Sequence, residues 1–162
     1  MQAIFERVGK QLEVKGYKMA GTDVNRPWGG FFIIAEDQAI DFIKEYFPEI
    51  SAEQTVREGK VSPKVLVVAP QKRLSWQYHY RRKERWQVLE GPVAIAQSDT
   101  DEQPEPTIYH PGDTIVLAQG ERHRLIGLEQ WGVVAEIWQH TDPQYPSDEA
   151  DIIRVQDDFR RT

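Results

Sequence analysis

Residues 74–91 read "LSWQYHYRRKERWQVLEG", placing Gln77, His79 and Glu84 close together among aromatic residues and arginines. On an extended strand alternate side chains share a face, so Arg73, Ser75, Gln77, His79 and Arg81 point one way and Leu74, Trp76, Tyr78 and Tyr80 the other. A polar row of this kind either faces water or lines a cavity. A tight turn through Arg82 and Lys83 starts the next strand at Glu84, which sets a carboxylate against His79 across a hairpin.

Around this hairpin the chain continues in short β-branched and aromatic runs: "KVLVVA", "VAIAQS", "PTIYH", "DTIVLA" and "GVVAEIW", separated by Pro, Gly and charged turns. The pattern predicts an antiparallel β barrel or sandwich. The acidic stretch "SDTDEQPEPT" reads as an exposed loop between two strands. The first third reads as largely helical, with Ile4, Phe5, Val8 and Leu12 at helical spacing, then Ile40, Ile43 and Phe47 behind an Asp37 cap. These helices are expected to pack outside the main body. The organisation expected is one domain over 1–162: an N-terminal helical segment and insertion over 1–60, a β-barrel core over 61–142 and a C-terminal tail over 143–162 that ends in a short strand or helix.

With 162 residues, 40% of them hydrophobic, the chain can bury a real core. Its start interleaves charges with apolar residues, and no apolar run is long enough to span a bilayer, so a cytoplasmic protein with no membrane partner is expected. The absence of cysteine excludes disulfides, thiolate metal sites and a cysteine nucleophile. A net charge of -6 argues against nucleic acid as a partner of the whole surface, while leaving room for a local basic pocket.

The spacing Q-x-H, four residues, E, six residues, G resembles the first motif of the cupin superfamily, in which two His and a Glu bind a metal inside a small jelly roll. Gln77 stands in the place of the first His. "GDTIVLAQGERHRLIG" resembles the second cupin motif, with Gly112, Gly120 and His123 in the expected places, Ala118 where Pro is preferred and Gly127 where Asn is preferred. The resemblance implies a cupin jelly roll with N-terminal helices, and a divalent metal, zinc by preference, on Gln77, His79, Glu84 and His123. One carboxylate leaves such a site net positive, which favours an anionic ligand. His110 and His140 fall outside the pattern and read as surface or structural.

A narrower resemblance is to the isomerase region of type II phosphomannose isomerases. "LSWQYHYRRKERW" is similar to their "LSxQxHxHRxEHW", "RPWGG" at 26–30 to their "RPWG", "KVLVVAPQKRLS" to "KRITVKPGxxLS", and "DIIRVQDDFRR" at 151–161 to "DDIVRxEDxYGR". Arg81 and Arg85 replace family histidines, Gln71 replaces a turn glycine, and 35–60 reads as an insertion. Larger family members carry a nucleotidyltransferase domain ahead of the cupin, and guanylyltransferase activity is not expected here.

The resemblance implies an aldose–ketose isomerase interconverting mannose 6-phosphate and fructose 6-phosphate through an enediol. It assigns Arg154 to phosphate or sugar oxygens, with Arg26 as a further substrate ligand, and offers Lys64 or Glu136 as the base; Arg81, inward by strand alternation, can take the same role as Arg154. Trp76 reads as core and Trp86 as a wall of the cavity. Alternatives at this point are another sugar, of the lyxose or heptose phosphate type, and a noncatalytic sugar-binding cupin. A homodimer through sheet edges is compatible with the fold.

Overall fold

The two helical patches of the first third are separated by a β-hairpin, which corrects the expectation that this third is largely helical. The structure, a computed structural model, describes Gln2 to Arg161; Met1 and Thr162, the ends of the expected domain, lie outside the described residues. Helix α1 (Ala3–Val14) is followed by strands β1 (Met19–Arg26) and β2 (Gly29–Ile34), then α2 (Ala39–Tyr46) and α3 (Ala52–Glu58). The "RPWGG" stretch is the tip of the β1–β2 hairpin. Gly29 is required there: its φ is 144°, and a Cβ would stand 2.0 Å from the Val67 carbonyl oxygen. Asp37 does not cap α2; it sits in a 3-10 turn at Glu36–Gln38, and the Ncap residue is Gln38, which makes no side-chain capping bond. Ser51 does cap α3, its Oγ accepting from the Gln54 amide.

Strands β3 (Val61–Val68), β4 (Trp76–Tyr78), β5 (Arg82–Glu90), β6 (Val93–Ser98), β7 (Thr107–Tyr109), β8 (Thr114–Leu117), β9 (Arg122–Gly127), β10 (Gly132–His140) and β11 (Ile153–Gln156) complete the architecture. They form two sheets, ordered β1-β2-β3-β10-β5-β8 and β11-β4-β9-β6-β7, in which the paired strands run antiparallel. The fold is the cupin double-stranded β-helix with N-terminal helices. The acidic 98–107 stretch connects β6 to β7 as an exposed loop, and the tail contains the short strand β11 followed by a turn.

Period-two alternation splits the first sheet between two cores. Val65 and Val67 of β3 and Val133, Ala135 and Ile137 of β10 face outward against α1 and α2, whose Phe5, Val8, Leu12, Phe42 and Ile43 are buried. On the other face Leu66, Val68, Trp86, Val88 and Val134 meet Val93, Ile95 and Leu125 of the second sheet. Lys64 and Glu136 share the phase of Leu66 and Val134, so the same alternation drives both into the space between the sheets. Among the described residues no helix is long and apolar enough to cross a membrane.

Gln71, at the family's turn glycine, adopts φ 59° while its amide donates to the Leu128 carbonyl. A left-handed conformation costs a residue with a Cβ roughly 1–2 kcal/mol, so this turn is held by its neighbours rather than by local preference.

Candidate metal and substrate site

The strand read over Arg73 to Tyr80 is regular only at Trp76–Tyr78; His79, Tyr80 and Arg81 make the turn, and Arg82 and Lys83 already belong to β5. The phase of the hairpin therefore changes at the turn. Counted back from the inward Glu84 of β5, the buried arginine is Arg82, and Arg81 leaves the cavity. Arg81 lies 3.4 Å from an Asp148 carboxylate oxygen and over the Tyr145 ring, which corrects its expected inward direction.

His79, Glu84 and His123 converge, with one ligand atom of each within 4.8 Å of the others, and all three are buried. His79 Nε2 is 3.1 Å and His123 Nε2 3.9 Å from Glu84 Oε2. The His79 Nδ1–H donates to the Asp151 carbonyl at 2.7 Å and the His123 Nδ1–H to the Glu121 carbonyl at 3.1 Å. A carbonyl can only accept, so Nδ1 is the donor in each ring, and it is the Nε2 atoms that are turned toward Glu84.

Among the described residues His123 Nε2 is a buried nitrogen without a hydrogen-bond partner. Two imidazole nitrogens and a carboxylate, with the His123 nitrogen otherwise unsatisfied, fit a divalent first-row metal. Gln77 reaches the cavity wall, paired in register with His123 on one side and Arg154 on the other, its Oε1 accepting from Ser75 Oγ at 2.6 Å.

Burial opposes ionisation of Glu84, but Arg82, His123 and His79 outweigh it and hold the carboxyl well below its ordinary range. Burial likewise pushes His123 down to about 4 despite the attraction of Glu84, so its imidazole is neutral at pH 7.

Arg82 is the residue that reading the sequence missed. Its Nε donates to Glu84 Oε2 at 2.9 Å, one Nη lies 3.2 Å from His79 Nε2, the other donates to Ser147 Oγ, and the guanidinium carbon is 3.5 Å from the Trp138 ring centroid. Glu136, buried on β10, pairs in register with Lys64 and Trp86, and accepts from the indole N–H of Trp86 at 2.8 Å and of Trp138 at 3.0 Å. Burial, followed by the charge of Glu84, raises its carboxyl well above the ordinary range. Lys64 is buried, its Nζ 4.5 Å and 4.2 Å from the ring centroids of Phe31 and Trp138, and donates to Glu149 at 2.6 Å.

Of these groups Gln77, Arg82, Glu84, Glu136 and Lys64 line a cavity of about 80 Å³ between the sheets, whose wall also takes in Arg26, Arg154, Arg161 and Trp86, while the cluster meets it through Glu84. Trp76 stays outside it, buried with its indole N–H on the Asp101 carbonyl. Five cationic side chains against the three carboxyl groups of Glu84, Glu136 and Glu149 make this cavity a local basic pocket in a chain of net charge -6.

The segment after β10 locks this site. Ser147 Oγ donates to Asp151, whose carboxylate accepts from the Tyr80 and Arg81 amides, and the Ser147 amide donates to His140 Nδ1 at 2.8 Å. Burial, then Lys60, lowers His140 to about 4, while Glu36 and Asp151 pull the other way. With its folded pKa below the unfolded value near 6.5, the stability that neutral His140 contributes is complete above about pH 6.5 and is lost as pH falls toward about 4. Thermal melts should drop over that window less steeply in His140→Asn, which keeps an acceptor for Ser147, than in wild type. Equal slopes would remove His140 as the titrating group.

A β-sandwich with a His, Glu and His cluster between its sheets is a cupin. The profile of the family described as "Mannose-6-phosphate isomerase C-terminal" matches residues 15–157, and the chain belongs to that family. No curated protein matches the sequence. Among solved structures the chain is similar to the capsular polysaccharide assembling protein CapF from Staphylococcus aureus, at 14% identity and a TM-score of 0.56 over 84% of this chain and 34% of that one. It is also similar to CapF with the inhibitor 3-isopropenyl-tropolone, at 13% identity and a TM-score of 0.58 over 84% and 34%. A recombinant oxalate oxidase in complex with glycolate matches at 17% identity and a TM-score of 0.48 over 59% and 46%. The chain thus spans between about a third and a half of these proteins, and the likeness to CapF is one of fold.

Proposed function

We propose that this cupin is a metal-dependent aldose–ketose isomerase of sugar phosphates, converting mannose 6-phosphate to fructose 6-phosphate through an enediol. The observation that carries the reading is the basic cavity, which Arg26, Lys64 and Arg154 line together with Glu84 of the buried His79, Glu84 and His123 cluster. His79, Glu84 and His123, with Gln77 at the wall, would hold the divalent metal, zinc by preference. Once bound, such an ion supplies polarisation of the sugar's carbonyl and hydroxyl oxygens.

The chain's own residues do the rest. Arg154 and Arg26 present guanidinium groups suited to phosphate oxygens. Glu136 moves the proton between C1 and C2: it is the buried carboxyl on the cavity wall, and the Trp86 and Trp138 N–H groups fix its orientation. Trp86, Leu66 and Leu74 keep water from the reacting carbons. Lys64 donates to Glu149, so it is less suited to serve as the base than its register partner Glu136.

Proton NMR of fructose 6-phosphate in heavy water with zinc-loaded protein tests the proposal. Mannose 6-phosphate signals and deuterium entering at C1 or C2 are expected. No exchange beyond a metal-free control would reject it. The contact of Arg82 with His79 Nε2 and Glu84 Oε2 favours a second reading, a sugar-binding cupin without catalysis, which predicts saturable sugar binding and no turnover.

A further inference from the structure

Lys64 and Glu149 differ sharply in how they meet water. The Lys64 side chain is 7% exposed and wedged between Phe31 and Trp138, whereas its ion-pair partner Glu149 is 62% exposed. Returning Glu149 to solvent therefore costs little, while Lys64 left alone would be a desolvated cation. The backbone on either side of Glu149 is pinned. Ser147 bonds Arg82, His140 and Asp151, and Asp151 bonds the Tyr80 and Arg81 amides and His79. Rotation of one side chain is enough to free Lys64, without opening the segment. Arg26, Arg154 and Arg161 line the same cavity, Arg26 paired with Asp23 and Arg161 with Asp157, so a group that takes the place of the Glu149 carboxylate enters a lining in which cations outnumber carboxylates.

We propose that Glu149 is the internal occupant of an anion subsite at Lys64, and that the phosphate group of the ligand enters by displacing it. The proposal rests on the reading of the cavity as an anionic-ligand site, and it makes Glu149 a residue that sets ligand affinity. An internal carboxylate of this kind competes with weak or singly charged anions and yields to a dianion that also engages the arginines.

Isothermal titration of inorganic phosphate, and separately of fructose 6-phosphate, into wild type, Glu149→Gln, Lys64→Met and the double variant tests it. Both substitutions suit their sites, since glutamine remains in water and methionine fills the space between two rings. Glu149→Gln is expected to bind phosphate about fivefold more tightly and Lys64→Met about fivefold more weakly. On the Lys64→Met background, Glu149→Gln should have no further effect. Phosphate affinity unaltered or weakened by Glu149→Gln, or no phosphate binding by any form, overturns the proposal. Tighter inorganic phosphate with no sugar phosphate bound by any form supports the subsite and rejects the sugar-phosphate reading. Sugar phosphate bound equally by wild type and both single variants overturns the subsite and leaves that reading standing.

Discussion

Replacing His123 with alanine is expected to leave the protein unable to retain stoichiometric metal. After loading with zinc and dialysis, elemental analysis should find about one ion per chain in wild type and essentially none in His123→Ala, with affinity weakened by at least about 100-fold. The reason lies in the second nitrogen of the ring. His123 Nδ1 is committed to the Glu121 carbonyl, so Nε2 is a buried lone pair facing Glu84 with no hydrogen-bond partner among the described residues. A cation is the partner that such an atom lacks. His79→Ala should act in the same direction, because His79 Nδ1 is fixed by the Asp151 carbonyl in the same way. Deuterium exchange into fructose 6-phosphate should vanish with the metal in both variants. Stoichiometric zinc in a folded His123→Ala protein would sink the assignment of the cluster.

Arg82→Met is expected to lower the melting temperature of metal-free protein by about 10 °C at pH 7, and zinc is expected to restore most of the loss. Glu84 is buried and held ionised chiefly by Arg82; breaking a buried ion pair from one side costs about 3–5 kcal/mol, which for a chain of this size corresponds to a shift of that order. Zinc replaces the missing charge on the same carboxylate. Because the guanidinium reaches the two atoms a metal would use, Glu84 Oε2 and His79 Nε2, its removal should also tighten zinc binding. An unchanged melt in chelator, or weaker zinc binding, would show that Arg82 supports the ligands instead of competing for them.

The strands were legible wherever one face alone was buried or a run was fully apolar. "KVLVVA", "GVVAEIW" and "VAIAQS" became β3, β10 and β6, because continuous β-branched and apolar runs suit strands covered on both faces. The hairpin of β1 and β2 escaped notice for the opposite reason. "MAGTDVNR" is half-exposed and polar, so its period is faint, and the turn at "RPWGG" announces itself only through the close approach of Gly29 to β3. In the site, the resemblance to two cupin motifs far apart in the chain singled out His79, Glu84 and His123, which the fold brings together. Arg82 was within reach too, by counting back in steps of two from Glu84, but the alternation was carried through a turn that resets it.

By itself the sequence determined an antiparallel β fold, because strands depend on local pattern, and its resemblance to the cupin motifs singled out the histidines and carboxylate that could face one another. Tertiary structure alone decided which cations those groups meet. Arg82 on Glu84, Lys64 between two rings and under Glu149, and the locking of His79 by Asp151 join residues from separate strands and from an irregular segment. A contact of that kind has no period, and the charge that each group carries in the cavity follows from it.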